Sequence, residues 1–131
     1  MTVMCLRFTD LEVWKKAHAL VLEIYGVTKD FPREELFGLR SQMRRAAVSI
    51  PANIAEGYCR RSRPDYLRFL SISQGSIGEI DTLLSLARDL SYLDAATGQQ
   101  LAGVVDEIGK MLTRLTQNLR ASRSGSLDPS P

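Results

Sequence analysis

The densest group of chemically useful side chains is a run of arginines near the middle of the chain, flanked by two tyrosines. Its members are Arg60, Arg61, Arg63 and Arg68, with Tyr58 and Tyr66 beside them. Guanidinium groups pair with phosphates and aromatic rings stack on bases, so this composition predicts a contact with nucleic acid. The alternative is a solvated basic loop without a ligand. Arg40 and Arg44, further upstream, are the second choice for the same contact.

The basic residues are unevenly distributed along the chain. The segment 33–68 carries eight arginines and four acidic residues, whereas the remainder has nine basic and eleven acidic residues. The formal net charge is only +2, which does not by itself indicate a nucleic-acid partner. Thirteen of the seventeen basic residues are arginine. That bias suits phosphate recognition and interface ion pairs, and a GC-rich genome produces it as well.

The residue types needed for catalysis or metal binding are nearly absent. His18 is the only histidine, so a carboxylate di-iron site, which needs two Glu-x-x-His motifs, cannot be built. No arginine stands at the distance from His18 that the helical toxin ribonucleases use, and no glycine-rich phosphate loop is present. His18 and a methionine are conceivable haem ligands, but a solvent-exposed histidine is the simpler interpretation. We expect no enzyme activity, no metal and no cofactor.

The two cysteines and the hydropathy pattern indicate a cellular location. Cys5 and Cys59 fit neither a metal-binding spacing nor a disulfide framework, which favours a reducing compartment. The N-terminus has no apolar run typical of a signal peptide. No segment approaches the roughly 20 apolar residues of a membrane span. We therefore expect a cytoplasmic protein without a membrane partner.

Four amphipathic patterns must position these groups, and the first two share a proline boundary. Thr9 and Glu12 predict a capping box at the start of the first helix. Phe31 precedes a proline, which disfavours the α conformation and ends that helix. The second helix is predicted from Pro32 to Gly57, continuing through Pro51 with a kink.

The third and fourth helices have clearer starts. Ser62 is the predicted N-cap of a long helix ending near Ser91, and Asp94 is the N-cap of a helix ending near Arg120. Four apolar stripes joined by short connections predict an all-α, antiparallel up-down-up-down four-helix bundle. We expect one domain over residues 1–120 and a disordered tail over residues 121–131, which are rich in serine, glycine and proline.

The second and third helices are predicted to pack closely. Antiparallel pairing sets Ala47 opposite Gly75 and Ser49 opposite Ser73, both within stretches of small residues. Gly75 and Gly78 each cost a helix up to about 1 kcal/mol relative to alanine, which predicts close backbone approach there.

Polar side chains lie on or beside the same seam. They are interpreted as a structural hydrogen-bond network, with a ligand pocket as the alternative; the members are Ser49, Asn53, Glu56, Gln74 and Glu79. An ion pair between Arg44 or Arg45 and Glu79 is predicted across the two helices.

The most distinctive stretch of the sequence lies in the second helix. It reads Leu39-Arg-Ser-Gln-Met-Arg-Arg-Ala-Ala-Val-Ser-Ile-Pro-Ala-Asn-Ile-Ala-Glu-Gly57. This stretch resembles the four helix bundle protein family, also called the 23S rRNA intervening-sequence proteins. The opening Phe-Thr-Asp-Leu-Glu-Val-Trp-Lys-Lys-Ala over residues 8–17 is similar to the same family, as are Phe31-Pro32, Tyr66…Phe69-Leu70 and Gly75-Ser76…Glu79. The likeness covers roughly residues 8–120.

The resemblance implies an up-down bundle that assembles as a ring-like homopentamer. It also implies kinship with the accessory variability protein of diversity-generating retroelements, a basic pentamer that binds nucleic acid and the element's reverse transcriptase. At +2, this chain is less basic than that relative. The family assigns no chemistry to the matching residues Ser49, Pro51, Asn53, Glu56 and Gly57, which we interpret as architectural.

Two functions follow as expectations. The first is a non-enzymatic homo-oligomer, expected to be a pentamer, that binds structured RNA or DNA through its arginine-rich surface. The alternative is an interaction scaffold that holds another protein, such as a reverse transcriptase, without touching nucleic acid. The exposed apolar residues expected to serve self-association are Phe37, Val48, Ile54 and Leu86, and they fit several symmetries.

Overall fold

The structure is a computed structural model that describes residues 3–122. Four α-helices follow an N-terminal 3-10 segment, Val3–Asp10. They are α1 (Glu12–Thr28), α2 (Leu39–Tyr58), α3 (Arg63–Asp89) and α4 (Ala95–Ala121), with a short 3-10 turn, Arg33–Glu35, before α2. No strand occurs within this described range. Residues 123–131, most of the predicted tail, lie outside it.

The helices are arranged as a closed four-membered ring around one core. Both α1 and α3 pack against α2 and α4, while the diagonal pairs do not approach one another in the described part of the chain. This pattern, with short connections, is that of an up-down-up-down bundle, so the predicted fold class is confirmed. Completely buried side chains from all four helices fill the centre, among them Leu20, Ile24, Met43, Ile50, Tyr66, Leu70, Leu84, Leu101 and Ile108.

Two of the predicted helix starts are confirmed by their hydrogen bonds. The Ser62 hydroxyl accepts from the Asp65 N–H at 3.2 Å, and the Asp94 carboxylate accepts from the Thr97 N–H at 2.7 Å. The second bond also holds the pKa of Asp94 below its usual value. Each cap satisfies an N–H group that has no partner within its own helix.

The start of α1 was predicted wrongly. Thr9 lies inside the 3-10 segment, and the residue that precedes the first helical position is Leu11, whose side chain forms no cap. A capping box needs an extended residue at the boundary. Because Thr9 belongs to a helical turn of its own, it cannot take that place.

The start of α2 is also later than predicted. Pro32 opens the 3-10 turn, and α2 begins only at Leu39, where the Glu35 carboxylate accepts from the Leu39 N–H at 2.9 Å. The cap of α2 is thus a carboxylate from the preceding turn and not a side chain of the N-cap residue, Gly38. The helix continues through Pro51 to Tyr58, as predicted.

Ile54, expected on the surface, is completely buried.

Close approach between α2 and α3 occurs at a glycine other than the predicted ones. A Cβ atom added at Gly57 would lie 2.9 Å from the Phe69 Cβ and 3.2 Å from the Tyr66 carbonyl oxygen. Cβ atoms added at Gly75 or Gly78 would meet nothing within 4 Å. The prediction for Gly75 and Gly78 is therefore wrong, because both lie on the outer surface of α3.

Replacing Gly57 tests whether this contact stabilises the bundle. We expect Gly57→Ala to lower the free energy of unfolding by about 1–3 kcal/mol, because the added methyl group forces α2 and α3 apart. Urea denaturation followed by circular dichroism measures the change. Gly103→Ala is the matched control: Gly103 is exposed inside α4 with open space around it. Helix propensity predicts a gain of about 0.5–1 kcal/mol there. Equal effects of the two substitutions would contradict the packing argument.

Candidate nucleic-acid interface

Two of the nominated arginines lie over one aromatic ring near the turn between α2 and α3. The guanidinium carbons of Arg60 and Arg68 lie 4.9 and 4.6 Å from the centre of the Phe69 ring. Arg61, in the turn itself, is exposed. Cation–π contact with Phe69 orients two of the guanidinium groups while leaving their edges in solvent.

Two carboxylates accompany this group. Glu56 forms an ion pair with Arg60 at 2.9 Å, and Asp65 lies 3.9 Å from Arg68. About half of each of these four side chains is exposed. Ion pairs between half-exposed side chains contribute little free energy, so a phosphate can displace either carboxylate from its arginine at a small cost in free energy. We call Arg60, Arg61, Arg68 and Phe69 the arginine patch.

Arg63 is held away from the arginine patch by another helix. Its guanidinium donates to the carbonyl oxygen of Leu119 at 3.4 Å and to that of Ser122. These carbonyls end α4, where the helix dipole places partial negative charge. Arg63 therefore caps the C-terminus of α4, and its N–H donors are used by α4 rather than by the arginine patch.

Arg44 has the corresponding role at the C-terminus of α1. Its Nε donates to the Thr28 hydroxyl at 2.9 Å and its Nη2 to the Tyr25 carbonyl at 3.2 Å, while the guanidinium lies over the Tyr25 ring. The predicted ion pair of Arg44 or Arg45 with Glu79 is absent from the described structure. For Arg44 the reason is this bonding to α1. Arg45 and Glu79 are both exposed and solvated.

Arg40 lies too far away to join the arginine patch. It stands in the first turn of α2, twenty residues before Arg60, which is about 30 Å along a helix. Its side chain is half-buried, and its Nε has no hydrogen-bond partner among the described residues. The structure thus brings together Arg60 and Arg68, with Arg61 next to Arg60 in the turn, and separates the other three nominated arginines from them.

The aromatic component of the patch is a residue that sequence reasoning missed. Tyr58 and Tyr66, the predicted flanking rings, are buried and contact each other edge-on at 6.0 Å. Burial raises the pKa of the Tyr66 hydroxyl, with the neighbouring Tyr58 as the second cause. Neither ring can stack on a base. Phe69 was overlooked because a phenylalanine within an apolar helix pattern is usually a core residue.

The predicted polar network is smaller than expected and includes two further serines. Asn53 donates to the Ser49 hydroxyl at 3.0 Å, the Ser76 hydroxyl donates to that of Ser49 at 2.7 Å, and Ser73 donates to the Ile50 carbonyl at 2.9 Å. Ser49 thus lies opposite Ser76 rather than Ser73, within one turn of the predicted register. The bonds of Ser73 and Ser76 tie α2 to α3, whereas the Asn53 bond lies within α2.

The remaining predicted members lie outside this network. Glu56 pairs with Arg60 on the surface, and Gln74 donates to the Thr113 hydroxyl at 3.0 Å, which joins α3 to α4. Glu79 has no hydrogen bond or ion pair within the described part of the chain. Helix periodicity explains the difference, because these three residues lie away from the α2–α3 contact.

The described residues contain neither a metal-binding cluster nor a membrane-spanning helix. No three or more histidine, cysteine, aspartate or glutamate residues in residues 3–122 are close enough to hold a metal ion. No helix in the same range is long and apolar enough to cross a membrane.

The fold and the patch define an all-helical bundle protein with an arginine-bearing end. A family-wide sequence model described as 23S rRNA-intervening sequence protein matches residues 9–114, and the chain belongs to this family. The chain is also similar to the crystal structure of a protein with unknown function from the S23 ribosomal protein family of Bacteroides thetaiotaomicron. The two share 25% sequence identity and a TM-score of 0.75, over 80% of this chain and 95% of that one. No curated protein matches the chain.

The hydrogen bonds of Arg63 predict that its replacement destabilises the fold, whereas replacement of Arg61 in the same turn does not. Arg63→Ala should lower the free energy of unfolding by about 1 kcal/mol, because it leaves the last carbonyls of α4 without their charged donor. Arg61→Ala, the control, should change it by less than about 0.5 kcal/mol, as expected for an exposed side chain. Thermal unfolding of both variants measures the difference. Indistinguishable stabilities would contradict the capping role.

Proposed function

We propose that this chain is a cytoplasmic, non-enzymatic homo-oligomer, expected to be a pentamer, that binds structured nucleic acid through the arginine patch. The observation that carries the proposal is the placement of Arg60 and Arg68 over one Phe69 ring with Arg61 beside them. Partly exposed guanidinium groups suit phosphate oxygens, which accept paired hydrogen bonds from arginine. The contact would be with the backbone and would carry little sequence preference.

The charge around the patch supports a modest affinity for each chain. Arg60, Arg61 and Arg68 are accompanied by Glu56 and Asp65, so the local excess of positive charge is small. A single patch would therefore bind weakly at physiological salt. Several copies on one nucleic acid would raise the overall affinity without any new contact, since the second and later contacts are intramolecular.

The apolar surface supports self-association. Phe37 is 90% exposed and Leu22 63%, and Leu86 and Leu90 are each about half exposed. These side chains are available for a contact with another protein chain. The family resemblance adds the expectation of a ring.

Removing the patch arginines should abolish binding to nucleic acid. We expect wild-type protein to bind labelled duplex and single-stranded RNA or DNA in fluorescence anisotropy titrations at low salt, and less tightly at high salt. Arg60→Ala/Arg61→Ala/Arg68→Ala should weaken binding at least tenfold. The slope of log K against log salt concentration should also become less steep, by about 0.9 for each duplex phosphate that an arginine no longer neutralises. Arg63 is left intact because of its bonds to α4.

The control removes the same charge elsewhere. Arg33→Ala/Arg45→Ala/Arg114→Ala lowers the net charge equally with exposed residues outside the patch, and it should retain most of the affinity. Equal weakening in both triple variants would indicate a general charge effect and contradict a localised patch. If wild-type protein fails to bind any of these nucleic acids at low salt, the protein scaffold becomes the better interpretation.

A further inference from the structure

A groove open to solvent lies between α3 and α4. It has a volume of about 420 Å³ and adjoins a second hollow of about 280 Å³, with Gln74 and Thr113 in the lining of both. The half-buried Ile77 and the buried Val105 provide an apolar floor for the larger part. Gly109 keeps this floor open, because a Cβ atom there would lie 3.4 Å from the Cγ2 of Ile77. We call the larger part the α3–α4 groove.

The side chain of Gln74 is fixed across the α3–α4 groove. Its Nε2 donates to the Thr113 hydroxyl at 3.0 Å and to the Gly109 carbonyl at 3.4 Å, and the Thr113 hydroxyl donates to the same carbonyl at 3.0 Å. These bonds use the amide nitrogen, so the Gln74 Oε1 remains an acceptor without a partner among the described residues. A backbone N–H of a ligand in the groove can donate to this oxygen.

The two ends of the α3–α4 groove differ in charge. Asp81 and Asp106 line one end, and Arg114 lines the other. Lys110 pairs with Asp106 at 3.2 Å, which leaves Asp81 and Arg114 as the charged lining residues that form no ion pair in the described part of the chain. Beyond Arg114, the second hollow is lined by Arg120 and by no carboxylate. Such a lining disfavours a polyanion and a polycation alike and favours a ligand with one charge of each sign.

Helix geometry gives the distance between the two unpaired charges. Asp81 lies two turns beyond Gln74 on α3, and Gln74 contacts Thr113, the neighbour of Arg114 on α4. Since an α-helix rises about 1.5 Å per residue, Asp81 and Arg114 are about 10 Å apart along the groove. An extended peptide spans at most about 3.3–3.6 Å per residue, so about three residues cover this distance.

We propose that the α3–α4 groove binds a short free peptide of about three residues. Its N-terminal ammonium group pairs with Asp81, and its C-terminal carboxylate accepts two hydrogen bonds from Arg114. The central side chain is apolar and packs on Ile77 and Val105, while a backbone N–H donates to the Gln74 Oε1. The site shares no residue with the arginine patch, so this proposal is independent of the proposed function.

The tripeptide Gly-Leu-Gly, added to the isotope-labelled full chain, is the probe. We expect it to shift the NMR signal of the Gly109 amide, with a dissociation constant of roughly 0.1–1 mM, as ligand efficiency gives for a molecule of this size. N-acetylation or C-terminal amidation of the peptide should each weaken binding about two- to fivefold, because each removes one exposed ion pair.

One variant at each end of the groove is paired with the corresponding modified peptide. Asp81→Asn should weaken binding of the free peptide as much as N-acetylation does, and it should not weaken the acetylated peptide further. Arg114→Gln should behave in the same way with the amidated peptide. Asp89→Asn and Arg45→Gln are the matched controls and should keep the wild-type affinity. All four side chains are exposed, so folding should be retained, which circular dichroism checks.

Three results would overturn the proposal. They are a Gly109 signal that does not move at roughly ten times the expected dissociation constant, equal binding of the free peptide and the doubly capped peptide, and equal weakening in the control variants. Each result concerns the α3–α4 groove alone. Arg60, Arg61 and Arg68 are unaltered in every variant, so nucleic-acid binding by the arginine patch stands or falls separately.

Discussion

The contact between α2 and α3 is the constraint on which the other features depend. Gly57 allows Tyr66 and the Cβ of Phe69 to approach α2 at distances that any side chain at residue 57 would prevent. Ser73 and Ser76, about one turn apart on α3, fix the register of α3 against α2 by bonding to Ile50 and Ser49. Polar bonds inside a packed seam specify one alignment, because a slip would leave buried hydroxyl and carbonyl groups unpaired. The turn that carries the arginines is positioned by this seam.

Five of the arginines divide into two groups according to whether they cap the end of a helix. Arg44 and Arg63 bond to carbonyl groups at the C-termini of α1 and α4, where partial negative charge accumulates. Arg60 and Arg68 lie over the Phe69 ring on the surface, and Arg61 is exposed in the turn. Two of the thirteen arginines therefore serve as helix caps and are not available for binding.

The surface carries two kinds of feature with different physical roles. The arginine patch is polar, small and partly neutralised by carboxylates, so it suits weak and reversible contacts. The exposed apolar side chains, which include Leu22, Phe37, Leu86 and Leu90, suit a protein contact instead.

The sequence by itself determined the four helices, the fold class, the caps at Ser62 and Asp94 and the passage of α2 through Pro51. These depend on local periodicity and on hydrogen bonds within a few residues of sequence. The family motif was equally visible in the sequence. Only the tertiary structure decided that Ile54, Tyr58 and Tyr66 are buried, and that Gly57 rather than Gly75 or Gly78 is the point of close approach. It also decided which arginines are used as helix caps. Each of these depends on the face that a helix turns toward its neighbour, and residues far apart in sequence set that orientation.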